Sequence, residues 1–453
     1  MNVPTSGSVV DQSKVRKAAF AGLIGTTLEL YDFVIYGTAS ALVFSKLFFP
    51  NVSPAAGLLA SFSTFAVGFL FRPIGGVFFS HFGDRLGRKW VLVTTLFLMG
   101  GSTLAIGILP TFDQVGLLAP LLLIVCRSAQ GFGAGAEQSG GATLLTESAA
   151  PGTRGRLASL IMVGAAAGTA LGALVWIAVQ ALAPHDMMNW GWRLVFLSSI
   201  VVTVAAMIMR RKLDESPVFE EIKQERAEPP APLKEVMKHG KANVLRVIFM
   251  NLGVSTQSYT IQVFMASYLI TVVKTDPKYI PIVLLIGSLC GGFAAFGFGF
   301  LSDRIGRRKV VSLITGVLVL FPAPAFLMLT TGDPVAIMLV IVIGFILACQ
   351  GVVGVHMSYF PEVFGSRYRY AGVTLGREFS AIIGGGIAPM VCAGLLAAFG
   401  NSWVPIAIYM GVTMLVSFIA TRLTPETLNR DLTDPEDADA RRAAAVVPAS
   451  AEA

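Results

Sequence analysis

Residues Gly83-Asp84-Arg85-Leu86-Gly87-Arg88-Lys89 lie between two apolar runs and return 219 residues later as Ser302-Asp303-Arg304-Ile305-Gly306-Arg307-Arg308. A basic loop repeated at equivalent places in two hydrophobic stretches means that one folding unit occurs twice, so both halves must satisfy the same packing. Composition then decides the solvent. With 54% hydrophobic and 13% charged residues and a mean hydropathy of +0.71, the chain carries more apolar side chain than a water-soluble core can use. The expected fold class is an all-α polytopic membrane protein.

About 20 apolar residues are needed to cross about 30 Å of hydrocarbon. Twelve stretches qualify as candidate spans: 18–45, 56–80, 90–109, 116–143, 156–183, 191–209, 243–273, 279–301, 310–330, 334–359, 370–399 and 402–421. They predict two pseudo-symmetric six-helix bundles, 18–210 and 243–422. A charged linker at 211–242, with Pro229-Pro230-Ala231-Pro232, separates them. Residues 1–17 read as a polar tail without a cleavable signal segment, and 423–453 as a tail expected to be disordered.

Inside-first threading puts 26 of the 34 Lys and Arg on one face, in the tails and the even-numbered connections, against Lys46, Lys274 and Lys278 on the other. By the positive-inside rule both termini are expected in the cytoplasm. The net charge of +7 is then a consequence of topology and calls for no nucleic-acid partner. Cys126, Cys290, Cys349 and Cys392 lie far apart in apolar runs and read as packing residues. Phosphate loops, metal clusters and nucleophile motifs are missing from the sequence, so neither an enzyme nor an ATP-driven pump is expected. Paired hydrophobic halves around a midplane site are the architecture of secondary transporters.

In the repeated loop, Gly83, Gly87 and Gly306 permit a tight reversal, while Arg85, Arg88, Arg304 and Arg307 hold it on the basic face. Asp84 and Asp303 each follow a helix end. Their carboxylates can meet a helix amino terminus, or an arginine of a neighbouring connection such as Arg154 or Arg369. Either contact ties elements together in one conformation and releases them in another. The alternative is a compact basic turn that only orients the chain.

The two loops resemble the cytoplasmic signature of the major facilitator superfamily. Other pieces resemble its metabolite:proton symporter family: Glu29-Leu30-Tyr31-Asp32-Phe33 with Tyr36-Gly37, and Arg72-Pro73-Ile74-Gly75-Gly76 leading into the first loop. Arg127 with Gln130-Gly131-Phe132-Gly133-Ala134-Gly135-Ala136-Glu137, Pro361-Glu362-Val363-Phe364 and Gly384-Gly385-Gly386-Ile387-Ala388-Pro389 continue the likeness over about 18–430. The resemblance implies a major facilitator fold, a monomer in the lipid bilayer, and proton-coupled movement of small carboxylates such as shikimate, 2-oxoglutarate or citrate, or of zwitterions such as proline and betaine. Arg377-Glu378 stands where many relatives carry uncharged polar residues.

Intramembrane charge points to the site, because each ionised residue at the bilayer centre costs about 2.5–3.5 kcal/mol on insertion scales and needs a partner or a wet cavity. Glu29 and Asp32 share one helix face, so they are the expected proton-coupling pair, with a structural ion pair as the rival role. Arg127 cannot shed its charge and must face a carboxylate of the first helix, Glu137 or the substrate. Its planar fork suits a bidentate grip on an organic acid. Arg377 and Glu378 diverge by about 100° on one helix, so each needs a further partner. Arg72, Gln130 and Tyr36 join the expected cavity. So does a polar stripe of Asn251, Ser255, Ser258 and Gln262 at steps of four, three and four. Gly164, Gly168 and Gly172 form a ladder for close helix approach. No cofactor beyond the coupling proton is expected. Uptake of a small organic acid leads; a proline or betaine symporter and a non-transporting receptor are the rivals.

Overall fold

The computed structural model describes residues 12–86, 88–135, 137–211 and 232–438. Among them there is no strand, and the helical segments group into twelve rods. These are α1 (12–47), α2 (Pro54–Leu86), α3 (Arg88–Ile108), α4 (Leu118–Ala134 continued by Glu137–Ser148), α5 (Arg154–Leu182) and α6 (187–211). The second set is α7 (241–273), α8 (Tyr279–Ile305), α9 (307–329), α10 (Pro334–Val363), α11 (Arg369–Ala398) and α12 (Val404–Leu423).

Seven rods are by themselves long and apolar enough to cross a bilayer. Joining Arg307–Leu320 to Pro322–Leu329 across their 47° bend makes an eighth. The described apolar parts of α3 and α4 are shorter, at Val93–Ile108 and Leu118–Ala134. The remaining two, α1 and α7, carry the polar and charged residues expected at the site, which lowers their hydropathy. Large apolar side chains such as Phe97, Leu117, Val125, Leu182, Phe293 and Leu320 are exposed around the bundle. Facing lipid, they need no further cover.

The duplication is visible in the packing. In the first half α1 packs on α5, α2 on α4, α4 on α3, and α3 on α6; six helices later α7 packs on α11, α8 on α10, α10 on α9, and α9 on α12. The two most extensive contacts between the halves, α5 with α8 and α2 with α11, are images of each other. The glycine ladder of α5 sets the α1 contact. A Cβ at Gly164 would stand 2.5 Å from the Leu23 carbonyl oxygen, and one at Gly168 would collide with the Thr27 carbonyl. Thr27 Oγ1 in turn donates to the Gly164 carbonyl at 3.0 Å.

The tail departs from expectation. Residues 424–438 are not disordered but strapped across the end of the bundle that carries the repeated loops. Glu426 accepts from the backbone N–H of Arg307 at 2.8 Å and Arg308 at 3.1 Å, capping α9 where its own local sequence offers no cap. Tyr359 donates to the Pro425 carbonyl at 2.8 Å, and Thr427 to the Glu362 carboxylate at 2.7 Å. Arg430 donates to the Glu362 carbonyl. An Ala-, Asp- and Pro-bearing composition without sustained heptads suggested disorder over 423–453; polar bonds to the loop end hold 424–438 instead, and 439–453 lie outside the described residues.

Candidate functional site

Charged and polar helix faces converge midway along the rods. Arg72 of α2 reaches Glu29 of α1, Nη1 to Oε1, at 2.6 Å. Its other edge binds Glu378 of α11, at 2.7 Å from Nε and 3.2 Å from Nη2. All three are buried. A bidentate guanidinium–carboxylate pair is among the stronger polar contacts available, and here it joins one half of the duplication to the other. Arg72 also lies 5.5 and 5.7 Å from the ring centres of Phe33 and Phe69.

Arg127 of α4 lies behind this chain of charges. It is fully buried, with its guanidinium carbon 4.3–4.9 Å from the rings of Phe33, Tyr36 and Phe65. Nη1 donates to Gln130, whose amide donates to Thr103 at 2.7 Å; Nε and Nη2 have no hydrogen-bond partner among the described residues. Asp32 lies beside Thr103 and Gln130 and faces the Arg127 charge. Cation–π contacts take the place of some of the missing hydration. Tyr36 donates to Thr64 at 2.7 Å.

A cavity of about 70 Å³ opens between α2, α7, α10 and α11. Arg72, Asn251, Ser255, Gln262, Arg377 and Glu378 line it, with Ser258. Arg127, Gln130 and Tyr36 do not; they form the packed layer behind it. Only the backbone is described for Glu137. Sequence reasoning missed Tyr259 and Gln350 on the wall and the aromatic layer above it. A hint was available for the former: Tyr259 adjoins the polar stripe. None was available for Gln350, whose position follows from a π-helical interruption of α10 at Phe345–Cys349. His356, fully buried on α10, has no ring-nitrogen partner among the described residues and stacks on Phe360 at 4.3 Å.

Toward the end remote from the loops, Phe69 meets Tyr259 edge-on at 5.0 Å and Phe65 lies 6.2 Å from it. Gly385 and Gly386 of α11 pack against these rings. Beyond this seal lies a chamber of about 630 Å³ whose walls include Lys46, Trp176, Gln180, Ile270 and Asp276.

The loop end is closed by contacts between the halves. Asp303 accepts from the N–H of Gly155 at 2.8 Å and of Arg156 at 2.9 Å, so the carboxylate caps the amino terminus of α5 across the interface. Arg307 also contacts the Asp303 oxygen that accepts from Gly155, at 2.7 Å, and forks onto Glu362 at 3.2 Å. Arg369 binds Glu147 at 2.6 Å, and Arg154 donates to the Arg430 carbonyl at 2.6 Å. The reversal at Gly306 has φ +104°, where a Cβ would strike Glu426. Arg304 is exposed and lies 4.2 Å from the Phe300 ring. In the first copy, only the backbone of Gly83, Asp84, Arg85 and Arg88 is described, and Gly87 lies outside the described residues.

A family model described as the Major Facilitator Superfamily matches residues 22–376. The Shikimate transporter of Escherichia coli (strain K12) is 37% identical over 425 residues, covering 92% of this chain and 95% of that protein. The Proline/betaine transporter of the same strain is 31% identical over 439 residues, covering 94% and 86%. Among solved structures, a D-xylose–proton symporter superposes with a TM-score of 0.69 at 17% identity, covering 92% of this chain and all of that one.

Proposed function

The chain belongs to the major facilitator superfamily, grouping with its shikimate, metabolite and proline/betaine transporters, and from that premise we propose that it imports a small organic acid together with protons. It is a multi-pass inner-membrane transporter of a small molecule, not an enzyme. The symport reading is carried by one observation, the charge balance at cavity level. Among the described side chains, Arg72, Arg127 and Arg377 stand against Glu29, Asp32 and Glu378. With every carboxylate ionised the set is neutral. Protonating Glu29 or Asp32 leaves one guanidinium in surplus, and a bound carboxylate restores neutrality, so proton and acid each lower the cost of the other.

Two seals support alternating access: the loop end is closed by ionic and capping contacts and the opposite side by aromatic rings, with the cavity between them. The charge bias of the sequence supports a cytoplasmic loop end, both termini inside, and an outward chamber. The cavity is complete within one chain, which supports a monomer, with protons as coupling ion and no other cofactor.

Uptake into proteoliposomes tests the reading, using labelled shikimate, 2-oxoglutarate, citrate, proline and betaine with and without an imposed pH gradient. At least one acid should accumulate with the inward proton gradient and leak back when a protonophore collapses it. The adjacent charges of Arg377 and Glu378, with the proline/betaine relative, favour a zwitterion as the second reading. Accumulation of proline or betaine while every acid fails would select it. Accumulation of none would remove the symport reading.

A further inference from the structure

We propose that Tyr259 ties the aromatic seal to the content of the cavity: its hydroxyl donates to a carboxylate of the bound substrate while its ring closes against Phe69 and Phe65. This rests on the transport reading but needs only a carboxylate, which the acids and the zwitterions share. Tyr259 ends the regular stretch Lys241–Tyr259 of α7, and a π-helical turn follows at Thr260–Phe264. Among the described residues lining the cavity, it is the one aromatic side chain.

The two ends of this side chain have different surroundings. The ring belongs to the seal: Phe69 meets it edge-on at 5.0 Å, Phe65 lies 6.2 Å away, and a Cβ at Gly385 would stand 2.7 Å from it. Phe65 and Phe69 come from the first half and Tyr259 from the second, so the contact parts when the halves separate at that end. The hydroxyl stands among the charges of Arg72, Glu29, Glu378 and Arg377, three of which line the cavity. It makes no hydrogen bond among the described residues, and its oxygen is not one of the buried polar atoms closed off from solvent.

The nearby carboxylates already have a cation. Both oxygens of Glu378 accept from Arg72, and so does Oε1 of Glu29. The phenolic O–H is a neutral donor beside them, and a hydrogen bond to an anion is shorter and about twice as strong as one between neutral groups. A carboxylate drawn to the guanidinium groups meets that donor while the ring is seated on Phe69. The oxygen is fixed in the plane of the ring, so a ring that leaves the seal takes the hydroxyl out of the charged layer. A bond made in one state alone shifts the equilibrium toward that state. For a hydrogen bond to a charged group the shift is about 10- to 100-fold, so a loaded cavity favours a shut seal.

Ser53 and Lys278 stand exposed at the chamber beyond the seal, one on each half. Spin labels on Ser53→Cys and Lys278→Cys, in the full chain without its four native cysteines, report opening at that end through pulsed dipolar distances in proteoliposomes. The probes are shikimate, 2-oxoglutarate, citrate, proline and betaine, each scored for uptake by the same preparation and used at a saturating concentration. Any that is carried should raise the ratio of short- to long-distance populations at least about 10-fold. Tyr259→Phe, which removes one oxygen and leaves the ring, should keep the distances of the empty protein and cut the response to about threefold or less. Tyr259→Leu, which removes the ring, should already be open when empty. A carried probe that leaves the wild-type distances unmoved overturns the inference and leaves the transport reading intact, and it does so even if neither variant reaches the membrane. A wild-type response in Tyr259→Phe overturns the role of the hydroxyl, and an empty Tyr259→Phe as open as Tyr259→Leu makes that hydroxyl part of the fold, which overturns it too. Carriage of none of the five removes the transport reading and this inference with it.

Discussion

Asp303→Asn should open the loop end, and the structure fixes the size of the effect. The aspartate makes two backbone bonds to α5, at 2.8 and 2.9 Å, and one ion pair with Arg307 at 2.7 Å, with its side chain 3% exposed. An asparagine keeps one acceptor oxygen and loses one charge-assisted bond, about 1.5–3 kcal/mol. It also loses the favourable charge at a helix amino terminus, about 0.3–1 kcal/mol. Arg307 keeps Glu362, so no cation is stranded and no further penalty is added. The total is about 2–4 kcal/mol, borne only by the closed state because donor and acceptor lie on opposite halves. At 1.4 kcal/mol per decade this is an equilibrium shift of about 30- to 1,000-fold toward opening at that end. Cavity-lining Met162, replaced by cysteine in a background lacking the four native cysteines, reports it through alkylation by an impermeant maleimide added from the loop face. The rate should rise at least about 30-fold. An unchanged rate would mean that Asp303 does not hold the gate, whatever its geometry.

Glu29→Gln and Asp32→Asn should separate coupling from binding: one of them should lose pH-driven accumulation and keep substrate exchange. Unchanged accumulation in both would falsify the pair's role. Arg127→Lys keeps the charge but loses the planar fork, the bond pattern to Gln130 and stacking among three rings, so acid uptake should fall about 10- to 100-fold with net charge unaltered. Normal uptake would make Arg127 a replaceable structural cation. Truncation after Thr424 removes the cap of α9 and the strap bonded to Glu362; melting of the detergent-solubilised protein should drop by several degrees. An identical melting temperature would show that the strap carries no stability.

Several features of this protein were legible in the chain because they are local or periodic. Apolar runs of membrane length, the basic bias of alternate connections and the repeated Asp-Arg loop specify a duplicated helical bundle whatever its partners. The α7 stripe was readable for the same reason, since steps of three and four place side chains on one face before any neighbour is known. The glycine ladder announced a close helix contact, though not that α1 supplies it.

Only the tertiary structure decided which charges meet. Glu29 and Asp32 share a helix face, yet Glu29 is held by Arg72 while Asp32 turns to Thr103, Gln130 and Arg127. Glu378 pairs not with its sequence neighbour but with Arg72, 306 residues away. That choice depends on how closely α2 approaches α11, which the packing of both bundles sets together. Likewise, Gln350 joins the cavity wall where a π-helical turn interrupts α10. The strap at 424–438 is ordered only because its carboxylates and hydroxyls find α9 and Glu362. An ion pair, a cap or a pocket-facing amide is a relation between distant segments; one-dimensional spacing states which groups need partners, and three-dimensional packing assigns them.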